Sequence, residues 1–432
     1  MPSSSSPQRR VVITGYGMIT PLGRNAEETF ANAAAGRSGV RELTSFDTKG
    51  LPCRIGGEIP DEWLASSPDR LPPRLDIFGS RGLRLMVIAT AEAVRRARLH
   101  EITDRASIGV ALGSHGDNPT VEEIRFLHRF FDGAGSWDMK SLVDSGGFPY
   151  HQFLMRKPDA ATAMLSMHYD CKGPNHTVVS ACAAGAQAIG EAFRMIREGS
   201  IDTMIAGGCE STLNFTGFVG FVLIKALCEK YTSPEKASRP FDRKRNGFVM
   251  SEGAGAVVLE ELEHARGRRA PILGEIIGYG DSADAYRITD THPRGEGAIL
   301  AMKAAIASAG LTTSDIEYIN AHGTSTIQND LTETRAIKEL FGDRAKKIPV
   351  SSNKSMMGHT IAAAGAIECI LTAIGIERSI MLPTINHEFS DPKCDLDYVP
   401  NEARHQKHFR ALSNSFGFGG QNACLCISGF EE

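Results

Sequence analysis

Four segments of this chain occur twice, in the same order, and this duplication constrains the fold more than any other feature. VVITGYG (11–17) resembles IIGYGDS (276–282), and SIGVALGS (107–114) is echoed by EYINAHGTS (317–325). VSACAAGAQAIGEA (179–192) aligns with GHTIAAAGAIECI (358–370), and GFVMSEGAGAVVLE (247–260) with SFGFGGQNACLCI (415–427). Short β-branched runs alternate with longer helical patterns: VVITG, a helix opened by Asn25, a helix near 80–98, then SIGVAL. That alternation predicts an α/β fold. The apolar run TMIAGG (203–208), after a helix at 182–198, predicts strands buried on both faces with helices covering each sheet. The boundary between the halves is placed in the basic, turn-like stretch Gly267 to Ala270, dividing the chain into 11–268 and 269–432 behind a disordered start, 1–10.

Several function classes are excluded early. Lys and Arg number 47 against 51 Asp and Glu, a net charge of −4, so no overall field attracts nucleic acid or an anionic membrane. No apolar run is long enough to span a bilayer, and the opening MPSSSSPQRR lacks the apolar core of a signal peptide; a cytoplasmic protein is expected. Nine cysteines without a CxxC pair fit neither a disulfide framework nor a zinc ribbon. Cys424 and Cys426 alternate along a strand pattern, which argues for packing. The GxG at Gly15 to Gly17 lacks the remaining glycine spacing of a dinucleotide site. Neither a cofactor nor a metal is expected.

In a duplicated α/β protein, equivalent strand-end loops converge on a site between the halves. Cys182 sits where a strand turns into a helix, and the helix dipole and free amides there lower a thiol pKa and favour thiolate. His322 follows a strand in INAHGTST, and His359 opens the helix paired by the repeat with that of Cys182. A cysteine and two histidines at such loops suit a thioester enzyme. Loss of CO2 from a malonyl thioester leaves an enolate, whose oxygen needs donors already in place, and neutral imidazoles supply them. The glycines of NSFGFGGQN (414–422) permit close backbone approach at a second oxyanion site or, equally, a tight hairpin. Glu368 lies in the apolar helix IAAAGAIECILTAIG and needs a cationic partner, for which Lys354 is the candidate.

With SACAAG around Cys182, RPFDRKRNGFVMSEGAG (239–255), NAHGTST around His322, SSNKSMMGH before His359, PTIN (383–386) and NSFGFGG (414–420), the chain resembles the type II, long-chain-elongating β-ketoacyl-[acyl-carrier-protein] synthases from Val11 to Ser428. The resemblance implies a thiolase fold, two similar halves in αβαβα layers, and an acyltransferase of fatty acid or related lipid biosynthesis. Cys182 then corresponds to the acyl-accepting nucleophile, His322 and His359 to the decarboxylation pair, and Lys354 and Glu368 to a supporting ion pair. The amides of Cys182 and Phe418 correspond to the oxyanion hole, with Phe418, flanked by Phe416, Gly417 and Gly419, gating acyl entry. Thr324 and Thr326, with Thr289, resemble the residues that hold a phosphopantetheine arm, and Lys225 and Arg74 are candidates for docking an acyl-carrier protein. Family members are homodimers; a heterodimer is the alternative assembly.

One segment departs from the family pattern. FLMRKPDAATAMLSM (153–167) replaces a proline-led apolar stretch that borders the acyl pocket near the dimer interface; Arg156, Lys157 and Asp159 argue against the usual long-chain substrate, and Arg156 or Lys157, if it reaches the acyl tunnel, is expected to bear on acyl selection. A type II polyketide ketosynthase shares every catalytic residue and is the nearest alternative. A thiolase would carry a second cysteine where His359 stands, and a noncatalytic chain-length partner would lack Cys182.

Overall fold

The computed structural model describes residues 8–147 and 150–432. Ten strands are hydrogen-bonded in one sheet, numbered here in chain order: β1 (Val11–Ile19), β2 (Ile108–Gly113), β3 (Asn175–Val178), β4 (Thr203–Glu210), β5 (Gly253–Glu261), β6 (Gly274–Ala283), β7 (Tyr318–Asn320), β8 (Val350–Ser351), β9 (Arg410–Gly417) and β10 (Gln421–Ser428). Read from one edge the order is β3-β2-β4-β5-β1, then β6-β10-β9-β7-β8, so the second five strands retrace the order of the first five. The four sequence repeats fall at matching places in this order. Among the described residues, the two five-stranded sets pair where Val11–Ile13 face Gly274–Ile276.

Helices form the other layers. Helix α1 (Arg81–Ala97) packs on β1 and β5, and α3 (Glu296–Ser308) on β6 and β10. Between the two five-stranded sets lie α2 (Ala184–Arg197) and α5 (Ala364–Arg378), which touch each other and strands of both sets. This gives the αβαβα layering. Helix α5 is buried on all sides from Ala364 to Ile376, as a helix apolar all round must be. Small residues let the inner helices meet: a side-chain carbon on Gly185 would lie 2.6 Å from Ala362 O, and one on Gly365 2.7 Å from Ala186 Cβ. Only glycine permits that approach.

Local signals act as expected at several ends. Asn25 caps Ala26–Ala34 through a 2.9 Å bond from Glu28 N–H, and Ser80 caps α1 at Leu83 N–H. Residues 1–7 of the start expected to be disordered lie outside the described residues, but Arg9 and Arg10 are held, by Asp202 and by Glu275. Ordering there comes from charge pairing that MPSSSSPQRR alone does not reveal.

Candidate active site

The same backbone turn is used twice to present chemistry. After β3 the chain turns through Ala181 with φ 49°, and the equivalent turn before α5 passes through Ile361 with φ 44°. Left-handed backbone at non-glycine residues, one of them β-branched, stores strain of about 1–3 kcal/mol each and is kept where surroundings enforce it. The first turn sets Cys182 at the start of α2; the second sets His359 beside it, its Nε2 3.0 Å from the Cys182 sulfur. The amide of Ile361 donates to His359 Nδ1 at 3.3 Å, so the imidazole proton sits on Nε2, facing the sulfur.

His322 arrives from the end of β7. Its ring meets that of His359 edge to face, centroids 5.3 Å apart, and packs against Phe416. Glu333, on helix α4 (Ile327–Phe341), accepts the amides of His322 and Gly323 at 2.8 Å each, and Asn414 Nδ2 donates to it at 3.1 Å. Glu333 and Asn414 were not among the expected site residues. The available signal was a carboxylate on the same helical face as the buried Asp330 and Ile337.

Burial decides the protonation states. Both imidazoles are driven well below their ordinary pKa by burial and then by the Lys354 ammonium, so they are neutral. The thiolate expected from the helix N-terminus is corrected: burial pushes the Cys182 thiol up to about 12, against the pull of Lys354 and of the Phe418 and Cys182 amides. The desolvation cost of a charged sulfur outweighs the dipole. Lys354 and Glu368 do pair, Nζ to Oε1 at 2.5 Å, with both side chains 2 % exposed. Burial still raises the Glu368 carboxyl to about 7, the ammonium offsetting only part of it.

Around the sulfur is a cavity whose lining includes Thr289, Thr324, Thr326, Phe416, Gly417 and Phe418. All of these were expected from the sequence. Thr324 and Thr326 share a 2.9 Å hydroxyl bond, and Gly419, at φ 80°, donates its amide to Ile288 O at 2.6 Å. Arg74 and Lys225 are exposed and do not line the cavity. Nor do the two cations of the divergent segment. Arg156 is tied to Glu123 and to Asn118 O, and the exposed Lys157 lies over the Phe153 ring at 4.2 Å. Arg156 finds its counter-charge in Glu123, and Lys157 lines a separate cavity with Asp117 and Glu210.

The sulfur and the two imidazoles place donor atoms within 4.8 Å of one another, a spacing that also suits a divalent metal. The Lys354 ammonium, close enough to act on all three, opposes a second cation there. A neutral cysteine with two neutral N–H donors, at amides aimed at its sulfur, is instead equipped for acyl transfer.

Residues 8–265 match the family model for the β-ketoacyl synthase N-terminal domain, and 273–388 that for the C-terminal domain. The chain belongs to the β-ketoacyl synthase family. A 3-oxoacyl-[acyl-carrier-protein] synthase 2 of Coxiella burnetii is 42% identical to this synthase over 432 residues, covering 98% of this chain and 99% of its own. A β-ketoacyl synthase structure from Burkholderia phymatum is 34% identical with a TM-score of 0.86, covering 98% of this chain and 100% of the other. A type II polyketide ketosynthase, solved with its acyl-carrier protein and bound to a hexaketide, is 31% identical with a TM-score of 0.83 over 98% and 100%. No helix among the described residues of the synthase is long and apolar enough to cross a membrane.

Proposed function

We propose that this chain condenses an acyl group held on Cys182 with a malonyl thioester on an acyl-carrier protein, giving the β-ketoacyl thioester and CO2 in fatty-acid synthesis. The observation that carries the reading is the Cys182 sulfur 3.0 Å from a neutral His359 N–H, with His322 edge-on behind it. In the first step the sulfur attacks the acyl thioester and the thiol proton leaves with the departing pantetheine thiol. The amides of Cys182 and Phe418 hold the developing oxyanion. A malonyl thioester then loses CO2, and the His322 and His359 N–H groups stabilise the enolate. Its carbon attacks acyl-Cys182; the sulfur departs as thiolate and takes one proton, as a thiol raised to about 12 requires near neutrality.

Burial, helped by the Lys354 ammonium paired with Glu368, keeps both imidazoles neutral, so that each donates an N–H without carrying a charge. Thr289, Thr324 and Thr326 hold the carrier's arm, Phe418 gates acyl entry among Phe416, Gly417 and Gly419, and Lys225 and Arg74 meet the carrier's acidic surface. The division of the chain at 268/269 belongs to the same reading. So does a homodimer: β3 is an edge strand, followed by exposed Val179, which supports pairing with a second copy. A cytoplasmic location is consistent with nine free, buried cysteines. Fatty-acid synthesis is preferred over a polyketide pathway because the Coxiella synthase is the more similar of the two, at 42% identity against 31%.

The test is intact mass of the protein after exposure to acyl-carrier thioesters, with labelled CO2 release from malonyl carrier in parallel. A mass shift lost in Cys182→Ala supports the reading; no adduct from any acyl thioester ends it.

A further inference from the structure

Two chain segments leave the Cys182 cavity side by side. Thr289, Asp290 and Thr291 line it on one flank, and Gln328 and Asn329, in the first turn of α4, on the other. Beyond the cavity the Thr291 and Thr332 hydroxyls are 3.5 Å apart, and Arg335 Nη1 donates to Pro293 O at 3.1 Å. The first segment is fixed, because the Asp284 carboxylate accepts the His292 amide at 3.0 Å and the Asn422 side chain at 2.8 Å. The same two segments then wall a groove lined by Pro293, Arg294, Arg335, Lys338, Glu339 and Lys393. From Asn329 at the cavity to Lys338 at the groove, α4 rises about 14 Å.

The groove is cationic. Its four basic side chains come from three stretches of chain, and Glu339 is the one carboxylate among the residues that line it. Arg294 is paired with Glu296, and Lys338 with Asp395 at 2.7 Å. Arg335 and Lys393 are exposed and have no carboxylate partner among the described residues. Asp391 and Asp395, which flank Lys393 in sequence, are taken up by Arg245 and Lys338. With its orientation set by Pro293 O, the Arg335 fork has N–H groups left to donate. Two free cations in one groove match a group of about two negative charges, which a phosphate monoester carries and the diester of a carrier's arm does not.

Resting on the function proposed above, we propose that this groove binds the nucleotide end of coenzyme A, with Arg335 and Lys393 on its ribose phosphate monoester, and that the synthase also takes acyl groups directly from acyl-coenzyme A. The pantetheine arm is common to coenzyme A and the carrier, so the thioester reaches Cys182 by the same path. The sulfur attacks the acyl carbon and forms the new C–S bond. The C–S bond to coenzyme A breaks, and the cysteine proton leaves with the coenzyme A thiol, so no other reactant is needed. Charge-assisted bonds from arginine to phosphate are among the strong ones, which gives the groove an effect that the arm alone lacks.

The test uses the full-length protein with four octanoyl thioesters: of coenzyme A, of dephospho-coenzyme A lacking the ribose phosphate, of pantetheine and of an acyl-carrier protein. Cys182 acylation is followed by intact mass over time, below saturation. Octanoyl-coenzyme A should acylate at least about tenfold faster than octanoyl-pantetheine, the worth of one hydrogen bond to a charged group, with the dephospho compound between them. Arg335→Ala and Lys393→Ala, both at exposed positions, should remove most of that advantage while the pantetheine thioester reacts at its wild-type rate. Equal wild-type rates for the coenzyme A and pantetheine thioesters overturn the proposal. Acylation by the carrier alone overturns it as well and leaves the condensation reading standing, and so does a coenzyme A advantage unchanged in both variants. Variants that slow the carrier thioester as strongly as octanoyl-coenzyme A assign the groove to the carrier's acidic surface and overturn it too. Absence of acylation by all four ends both readings.

Discussion

The backbone N–H of Ile361 donates to His359 Nδ1, and through that bond the strained turn determines which nitrogen faces Cys182. The histidine thus presents a hydrogen toward the sulfur rather than a lone pair. In the proposed reaction it therefore donates to developing negative charge rather than removing the thiol proton.

Separation of roles follows. His322→Ala and His359→Ala should each lower malonyl decarboxylation by about 100-fold or more, the loss typical of one oxyanion donor, while slowing Cys182 acylation much less. Single-turnover acylation and labelled CO2 release, measured on the same samples, decide this. Normal CO2 release from either variant is incompatible with the assignment.

Cys182→Gln should lose condensation yet retain or gain decarboxylation. Condensation needs a sulfur to hold the acyl chain, whereas CO2 loss needs only bound malonyl thioester and the two imidazoles. The glutamine carbonyl oxygen can occupy the amide-lined hole and imitate the acylated enzyme. If both activities vanish together in a folded variant, cysteine and histidines do not divide the work as described.

A thiol raised to about 12 implies a definite pH response. The reactive form is the thiolate, so its fraction, and with it iodoacetamide alkylation of Cys182, should climb about tenfold per pH unit from neutrality upward. A rate that is flat between neutral and mildly alkaline pH would falsify the neutral resting thiol.

Lys354 and Glu368 are coupled through their shared burial. Lys354→Met alone leaves a buried carboxyl whose raised pKa works against the fold as pH increases. Below the unfolded value of 4.5 the protonated acid is tolerated, and stability falls as pH rises through the folded value. Breaking the pair from either side should cost about 3–5 kcal/mol near neutrality, and the double variant Lys354→Met with Glu368→Leu less than the sum. Urea denaturation of the single and double variants measures the coupling, and strict additivity would show that the pair contributes nothing.

Gly185→Val tests the crossing of α2 and α5. Its new side chain meets Ala362 O, so the helices must separate or the turn must shift. A stability loss of about 1–3 kcal/mol with collapse of condensation is expected. Full activity would mean that the 3.0 Å contact of Cys182 and His359 is not set by this approach.

What the sequence determined by itself was everything encoded locally or twice. The duplicated segments, with period-two and helical runs between them, foretold two similar α/β halves, because each short pattern specifies its own element and the repeat specifies its partner; the strand order, traced twice, came with the structure. Cys182, His322 and His359 were legible because each occupies a strand-end loop in a distinctive motif, and the Lys354–Glu368 pair because a carboxylate in an apolar helix demands a cation. Only tertiary structure decided the rest. The protonation of Cys182 depends on how much water surrounds it, and burial is a property of the assembled layers, not of SACAAG. Arg156 looked like a cation in the acyl path until folding brought Glu123 and Asn118 to it. Glu333 beneath the His322 amide and Glu210 against His115 are polar contacts made across intervals of 11 and 95 residues. Charge and hydrogen bonding act through space, so their partners are set by the folded path of the chain.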